Sequence, residues 1–228
     1  ILTCSNTAVT DIVLEAAESG ITIQGPTLAG SDAVLDRGNT ASTSHVFDLI
    51  DADNVTLSHL DITGAYYGVY ADSSSDSDGL TISDSEIYSN TNGGIYLYQS
   101  NDGARLLNNQ VHDNGSYYGI RISGEDAQVT GGEVFANATG IYLTGANSAV
   151  DAVEVYGNTV RNNADGIAGK AASRGTSSLY GPRQLRNLHV HDNLIAMTIG
   201  QTGILDGSNS SGGKVFTLWN NRFQHNTY

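Results

Sequence analysis

The chain has 228 residues, 39% of them hydrophobic, and a formal net charge of −14. That charge excludes binding to DNA or to an anionic membrane through bulk electrostatics, and one cysteine, Cys4, excludes an internal disulfide or a multi-cysteine metal site. With 27 glycines but only 2 prolines the chain is rich in turns without being a proline-rich linker. No stretch approaches the roughly 18 apolar residues that span a bilayer.

Near the N-terminus, Glu15-Ala16-Ala17-Glu18 is the only segment that reads as a helical turn. From there the chain alternates apolar and polar residues in runs of three to five, bounded by Asn, Asp, Gly or Ser, which is the pattern of half-buried strands. Val55-Thr56-Leu57 precedes Leu60-Asp61-Ile62, and Leu80-Thr81-Ile82 precedes Ile87-Tyr88. Leu106 and Val111, Val129 and Val134, and Val155 and Val160 continue the series. Leu188-His189-Val190 comes before Leu194-Ile195, and Phe216-Thr217-Leu218 before Phe223. Between these pairs recurs one phrase: Gly68-Val69-Tyr70-Ala71, Gly94-Ile95-Tyr96-Leu97, Gly119-Ile120-Arg121-Ile122, Gly140-Ile141-Tyr142-Leu143, Gly166-Ile167-Ala168 and, more loosely, Gly203-Ile204-Leu205. The glycines step by 26, 25, 21, 26 and 37 residues.

A period of 20–50 residues marks a solenoid, in which each unit buries its apolar face against its neighbours. Asn-Gly and Asp-Gly hairpin turns are scarce, which argues against an antiparallel sandwich. The expected fold is all-β: a single-stranded right-handed parallel β-helix of about seven or eight coils, each of three short strands. Residues 1–228 read as one such domain. The opening on Ile1 and the ending just after a strand-like segment fit a piece of a longer extracellular protein. Asn90, Asn114, Asn137 and Asn163 each fall three to five residues before a phrase glycine, and are expected to stack at a corner and hydrogen-bond along the axis.

Ile21-Thr22-Ile23-Gln24-Gly25-Pro26 followed by Ala33-Val34-Leu35-Asp36 is similar to the opening rung of pectate-lyase-like β-helix proteins. The Asp53-Asn54-Val55-Thr56-Leu57 run, the Gly-Ile-Tyr strands and the Asn-Asn-x-Val corners resemble the carbohydrate-binding and sugar-hydrolysis repeats of that superfamily. The likeness spans nearly the whole chain. It implies an extracellular, bacterial surface setting and a polysaccharide partner. Fold alone does not choose among the superfamily's lyases, epimerases, tailspike hydrolases, adhesins and surface modules. The chain lacks the tyrosine-glycine-phenylalanine-aspartate-proline-histidine stretch of alginate epimerases and a clear pectate-lyase arginine signature.

Stacked strands turn alternate residues into outward columns. One holds Tyr70, Tyr96, Arg121, Tyr142 and Ala168, and the next Asp72, Tyr98, Ser123, Thr144 and Lys170. Exposed tyrosines around an arginine suit sugar faces and sugar carboxylates; they also suit plain ladder packing. The leading reading is a module that binds a polysaccharide, anionic ones included, or serves as an adhesive rod. Its contact residues would be Tyr70, Tyr96, Tyr98, Tyr118 and Tyr142, helped by Arg174 and Arg183 of the basic loop between Lys170 and Arg186, which also holds Tyr180. The alternatives are a uronate lyase or C5-epimerase using Arg121, Tyr96, His112 and Lys170, or a purely structural spacer. A glycosidase would use Glu86 and Glu133, two rungs and roughly 10 Å apart. Asp72, Asp76 and Asp78 offer oxygen ligands for calcium, the one cofactor the sequence suggests, with Asp48, Asp51 and Asp53 a weaker group. His189 and His191 face alike but lack a third neighbour in sequence for zinc.

Overall fold

The computed structural model describes residues 2–5, 10–28, 31–144, 153–171, 176–177, 181–182 and 184–228, with the side chains of 2–5, 176–177, 181–182 and 208 left undescribed. Three parallel sheets of eight strands each wrap one core. Sheet 1 comprises Leu2–Ser5, Ala33–Asp36, Asp61–Thr63, Glu86–Tyr88, Gln110–His112, Glu133–Phe135, Thr159–Arg161 and Leu194–Ala196. Sheet 2 comprises Ile12–Glu15, His45–Ile50, Tyr67–Ala71, Gly93–Leu97, Tyr118–Ile122, Thr139–Leu143, Asp165–Ala171 and Gly203–Asp206. Sheet 3 comprises Thr22–Gln24, Thr56–Ser58, Thr81–Ser83, Arg105–Leu107, Gln128–Thr130, Val153–Tyr156, Leu188–His191 and Arg222–Gln224. The chain visits sheets 1, 2 and 3 in turn. Each parallel return is a crossover of the right-handed kind that strand twist favours, so the molecule is a right-handed parallel β-helix of eight coils.

The periodic apolar residues explain the core. Most three-residue strands point one side chain inward, giving the columns Ile62–Ile87–Val111–Val134–Val160 in sheet 1 and Leu57–Ile82–Leu106–Val129–Val155 in sheet 3. The phrase residues Val69, Ile95, Ile120, Ile141 and Ile167 form the matching column of sheet 2. All are at most 2% exposed, so each contributes about 1.5–3 kcal/mol of apolar burial.

From the second coil on, sheets 3 and 1 meet at a two-residue corner. Its first residue adopts left-handed geometry at His59, Asp84, Asn108, Gly131, Gly157 and Asp192 (φ 50–70°), conformations that Asn, Asp and Gly tolerate best. Sheets 1 and 2 meet at the expected asparagine corner. Asn114 Nδ2 donates to Ile87 O (2.9 Å) and to Asn137 Oδ1 (3.2 Å), while Asn114 Oδ1 accepts from Asn90 N and Nδ2 at 3.2 and 3.0 Å. Asn137 bonds to Asn163 in the same way. The phrase glycines sit against this ladder: a Cβ on Gly94 would lie 2.7 Å from Gly119 O, 2.9 Å from Asn114 Nδ2 and 2.9 Å from Val111 Cγ1. Close approach, not backbone freedom, requires glycine there. A second ladder at the sheet 3–sheet 1 corner links Ser85 to Asn109, and Gly132 through Asn158 and Asn193 to Asn226.

Phe216–Leu218 is not the strand its alternation predicts; Lys214–Thr217 is a short helix. Gly212 and Gly213 take left-handed φ of 59° and 80°. The Asp206 carboxylate accepts from Ser211 N (3.0 Å), Ser211 Oγ (2.6 Å) and Gly213 N (3.1 Å), closing a turn that starts the helix. Val215 is fully buried under it. The other segment expected to turn, after Glu15, is a single 3-10 turn at Ala16–Glu18. Among the described residues no helix is long and apolar enough to cross a membrane.

Substituting Asn114→Ala removes two acceptor contacts and strands the buried Asn90 amide, a loss of about 1–3 kcal/mol per unsatisfied group. Urea unfolding should show at least that loss for Asn114→Ala and a smaller one for Asn226→Ala, which sits at the half-buried end of the second ladder.

Candidate functional site

Strand register carries the phrase residues into one outward column on sheet 2: Asp48, Tyr70, Tyr96, Arg121, Tyr142 and Ala168. Immediately before each glycine runs a second column, Tyr67, Gly93, Tyr118, Thr139 and Asp165. Gly93 leaves room for the Tyr67 ring, whose Cδ1 and Cε1 are 3.3 Å from where a Cβ would stand. Tyr67 therefore leans over its neighbouring coil, 4.6 Å from the Tyr96 ring centroid, and its hydroxyl accepts from Asn92 Nδ2 at 2.5 Å. His45 stacks on Tyr70 at 4.3 Å. Tyr118 stacks on Tyr142 at 4.5 Å.

Arg121 lies at the centre. Its guanidinium carbon is 4.5 Å from the Tyr96 ring, 4.9 Å from Tyr98, 5.6 Å from Tyr118 and 5.8 Å from Tyr142, within the range of cation–π attraction. Nη1 donates to the Tyr96 hydroxyl, and the buried Nε has no hydrogen-bond partner. None of the ion pairs among the described residues includes Arg121. The expected exposure of the tyrosine stripe is corrected by this crowding: Tyr96 is 6% exposed, and Tyr70, Tyr98, Tyr118 and Tyr142 are half-buried. Burial, above all, raises the phenol of Tyr67 to about 12 and also raises those of Tyr70, Tyr96 and Tyr118. These hydroxyls are protonated donors at neutral pH, not bases.

Two clefts flank the exposed Tyr117 and its neighbour Tyr118. One, of about 200 Å³, is lined by Tyr66, Tyr67, Asn92, Tyr96 and Arg121. The other, of about 390 Å³, is lined by Tyr142, Asp165, Lys170 and Gln201 among others. Tyr96, Arg121 and Tyr118 thus come together, and Lys170 faces the same groove two coils on, about 10 Å along the axis. In the second expected outward column, Ser123 and Thr144 are buried and bonded to each other at 2.5 Å. Arg174, Tyr180 and Arg183 lie outside the described residues.

His112 is on sheet 1, a different face from Arg121. It stacks between Tyr88 (5.5 Å) and Phe135 (4.5 Å), with Nε2 bonded to Glu86 (2.7 Å) and Nδ1 to Asp113 (2.8 Å). Glu133 is bonded by Arg161 at 2.6 Å. Each carboxylate of the Glu86–Glu133 pair is therefore already engaged by a neighbouring side chain.

Asp78 Oδ1 accepts from Asp102 N at 2.7 Å and Asp102 Oδ1 from Glu125 N at 2.6 Å, so these carboxylates run along the axis as a ladder. Among the described residues, donors converge within 4.8 Å in two groups, Glu154–His189–His191 and Asp11–His45–Asp48, and neither contains Asp72, Asp76 or Asp78.

The model of the right-handed β-helix region matches residues 12–181, and the chain belongs to that family. Among solved structures, the crystal structure of alginate lyase from Paenibacillus sp. str. FPU-7 is 14% identical, covering 96% of this chain and 92% of that one at a TM-score of 0.46. No curated protein matches the sequence.

Burial first, then the neighbouring Asp78 and Glu125, push the Asp102 carboxyl up to about 6. A carboxyl whose pKa is raised by folding holds its proton more tightly in the folded chain, so stability falls as pH rises from about 4 to about 6. Thermal unfolding across that window should show the decline, and Asp102→Asn should flatten it.

Proposed function

We propose that sheet 2 binds an acidic polysaccharide, with Arg121 as the receptor for a sugar carboxylate and the surrounding tyrosines as stacking platforms. One observation carries the reading: in a chain of net charge −14, Arg121 is a half-buried cation wrapped by four aromatic rings, with no carboxylate partner among the described residues. Guanidinium pairs carboxylates through two parallel hydrogen bonds, and an incoming carboxylate supplies the missing counter-charge. Lys170, about two coils away along the groove, provides a second positive contact for a polymer bearing repeated carboxylates. The protonated phenols act as donors to sugar hydroxyls, and the flanking clefts accept rings on either side of Tyr117 and Tyr118.

Binding is favoured over lyase or epimerase chemistry because the groove's phenols are pushed away from the base form. The imidazole of His112 is tied up on another face. The same reading extends to an extracellular, surface-bound setting, where such polymers occur. Affinity electrophoresis in gels carrying polyuronate or a neutral glucan measures it. Retardation is expected in polyuronate alone, weakened about tenfold or more in Arg121→Ala, the loss of a charged hydrogen-bonding group, and weakened less in Tyr96→Phe. Equal retardation of the wild type and Arg121→Ala overturns the reading, and release of unsaturated uronate ends, seen as new ultraviolet absorbance, replaces it with a lyase.

A further inference from the structure

We infer that Glu154, His189 and His191, on the outer surface of sheet 3, form a zinc site with three protein ligands and one open position. The sequence alone supplies no third ligand beside the two histidines; strand register does, because Glu154 of one coil is the direct neighbour of His189 on the next. The donor atoms of the three residues lie within 4.8 Å of one another, and His189 Nδ1 is 4.0 Å from Glu154 Oε1. Around a tetrahedral ion with bonds of ~2.0–2.1 Å the donors stand roughly 3.4 Å apart, a contraction that rotation of half-buried side chains supplies.

The second observation is how the imidazoles are held. His191 Nδ1 is bonded to Asp192 Oδ2 at 2.7 Å, and His189 Nε2 to Gln224 Oε1 at 3.2 Å. In metal-binding histidines one ring nitrogen donates to an oxygen acceptor, which fixes the tautomer and leaves the other nitrogen as a lone-pair donor. Here His191 Nε2 and His189 Nδ1 are the nitrogens left over. Tyr156 stacks on His191 at 5.1 Å and 4°, setting its plane. The two imidazole centroids are 4.0 Å apart, which brings both rings to one place on the sheet 3 surface. Arg222 of the eighth coil is the register neighbour of His189 and sets a positive charge beside the site, across from the carboxylates of Glu154 and Asp192, with His225 the remaining titratable group near Asp192. Two imidazoles and a carboxylate select zinc over calcium or magnesium. The site is on a different face from the glycan groove and stands or falls independently of it.

Isothermal titration of the metal-free chain, carrying no polyhistidine tag, with zinc chloride decides the matter. One equivalent should bind, and the His189→Ala/His191→Ala double variant should lose it. Asp192→Asn, which keeps a residue suited to the left-handed corner, should weaken binding by about tenfold while circular dichroism is unchanged. Cobalt(II) should give the intense visible bands of a four-coordinate ion. No binding by the wild type, retained affinity in the double variant, or loss on His45→Ala instead would each overturn the site.

Discussion

The asparagine ladder and the glycine column beside it make one interlocking contact, and the rest of the molecule is hung from it. Asn90, Asn114, Asn137 and Asn163 satisfy buried backbone groups that no strand reaches. Their amide nitrogens pack within 2.8–3.0 Å of where side chains on Gly68, Gly94, Gly119 and Gly140 would begin. A buried amide without partners is costly, and so is an overpacked corner. The two constraints together admit one stacking of coil on coil. Because that register is fixed, residues far apart in sequence meet on the surface at a spacing the backbone decides.

Both surface constellations follow from this. Arg121 reaches Tyr96 and Tyr142 because they share its outward position on the coils before and after. Glu154 reaches His189 across a 35-residue separation for the same reason. The surface is acidic overall, so a guanidinium enclosed by rings and an imidazole pair opposite a carboxylate are local exceptions to its general chemistry.

The coil was legible in the sequence because its determinants are short and repeat with the same residues. Gly-Ile-Tyr gave the sheet 2 strands, and the asparagine before it gave the corner. The second ladder was not legible: its positions hold Ser85, Asn109, Gly132, Asn158 and Asn193, different residues performing one backbone task. In the groove, period-2 alternation found Tyr70, Tyr96, Arg121 and Tyr142. It passed over Tyr67 as a neighbour of Tyr96, since Gly93 interrupts that column and the ring leans across the gap. Burial was misjudged for Tyr96 because the covering groups come from other coils. Of the proposed zinc site the two histidines were legible and Glu154 was not, because the long insertion before Leu188 hides it as a neighbour of His189. Phe216–Leu218 alternates like a strand, yet the turn closed on the Asp206 carboxylate outweighs so short a pattern.

From the second coil on, every corner from sheet 3 to sheet 1 is two residues long, while the connections from sheet 2 to sheet 3 run from 123–127 to 172–187. Axial rise and perimeter are thereby decoupled. Chain can be added along one edge of the prism without shifting any rung, much as pages vary in width while bound at a common spine. Variation in length is therefore largest at the edge between the aromatic groove and the histidine pair, where a new loop alters what either face can hold and leaves the scaffold's phase untouched.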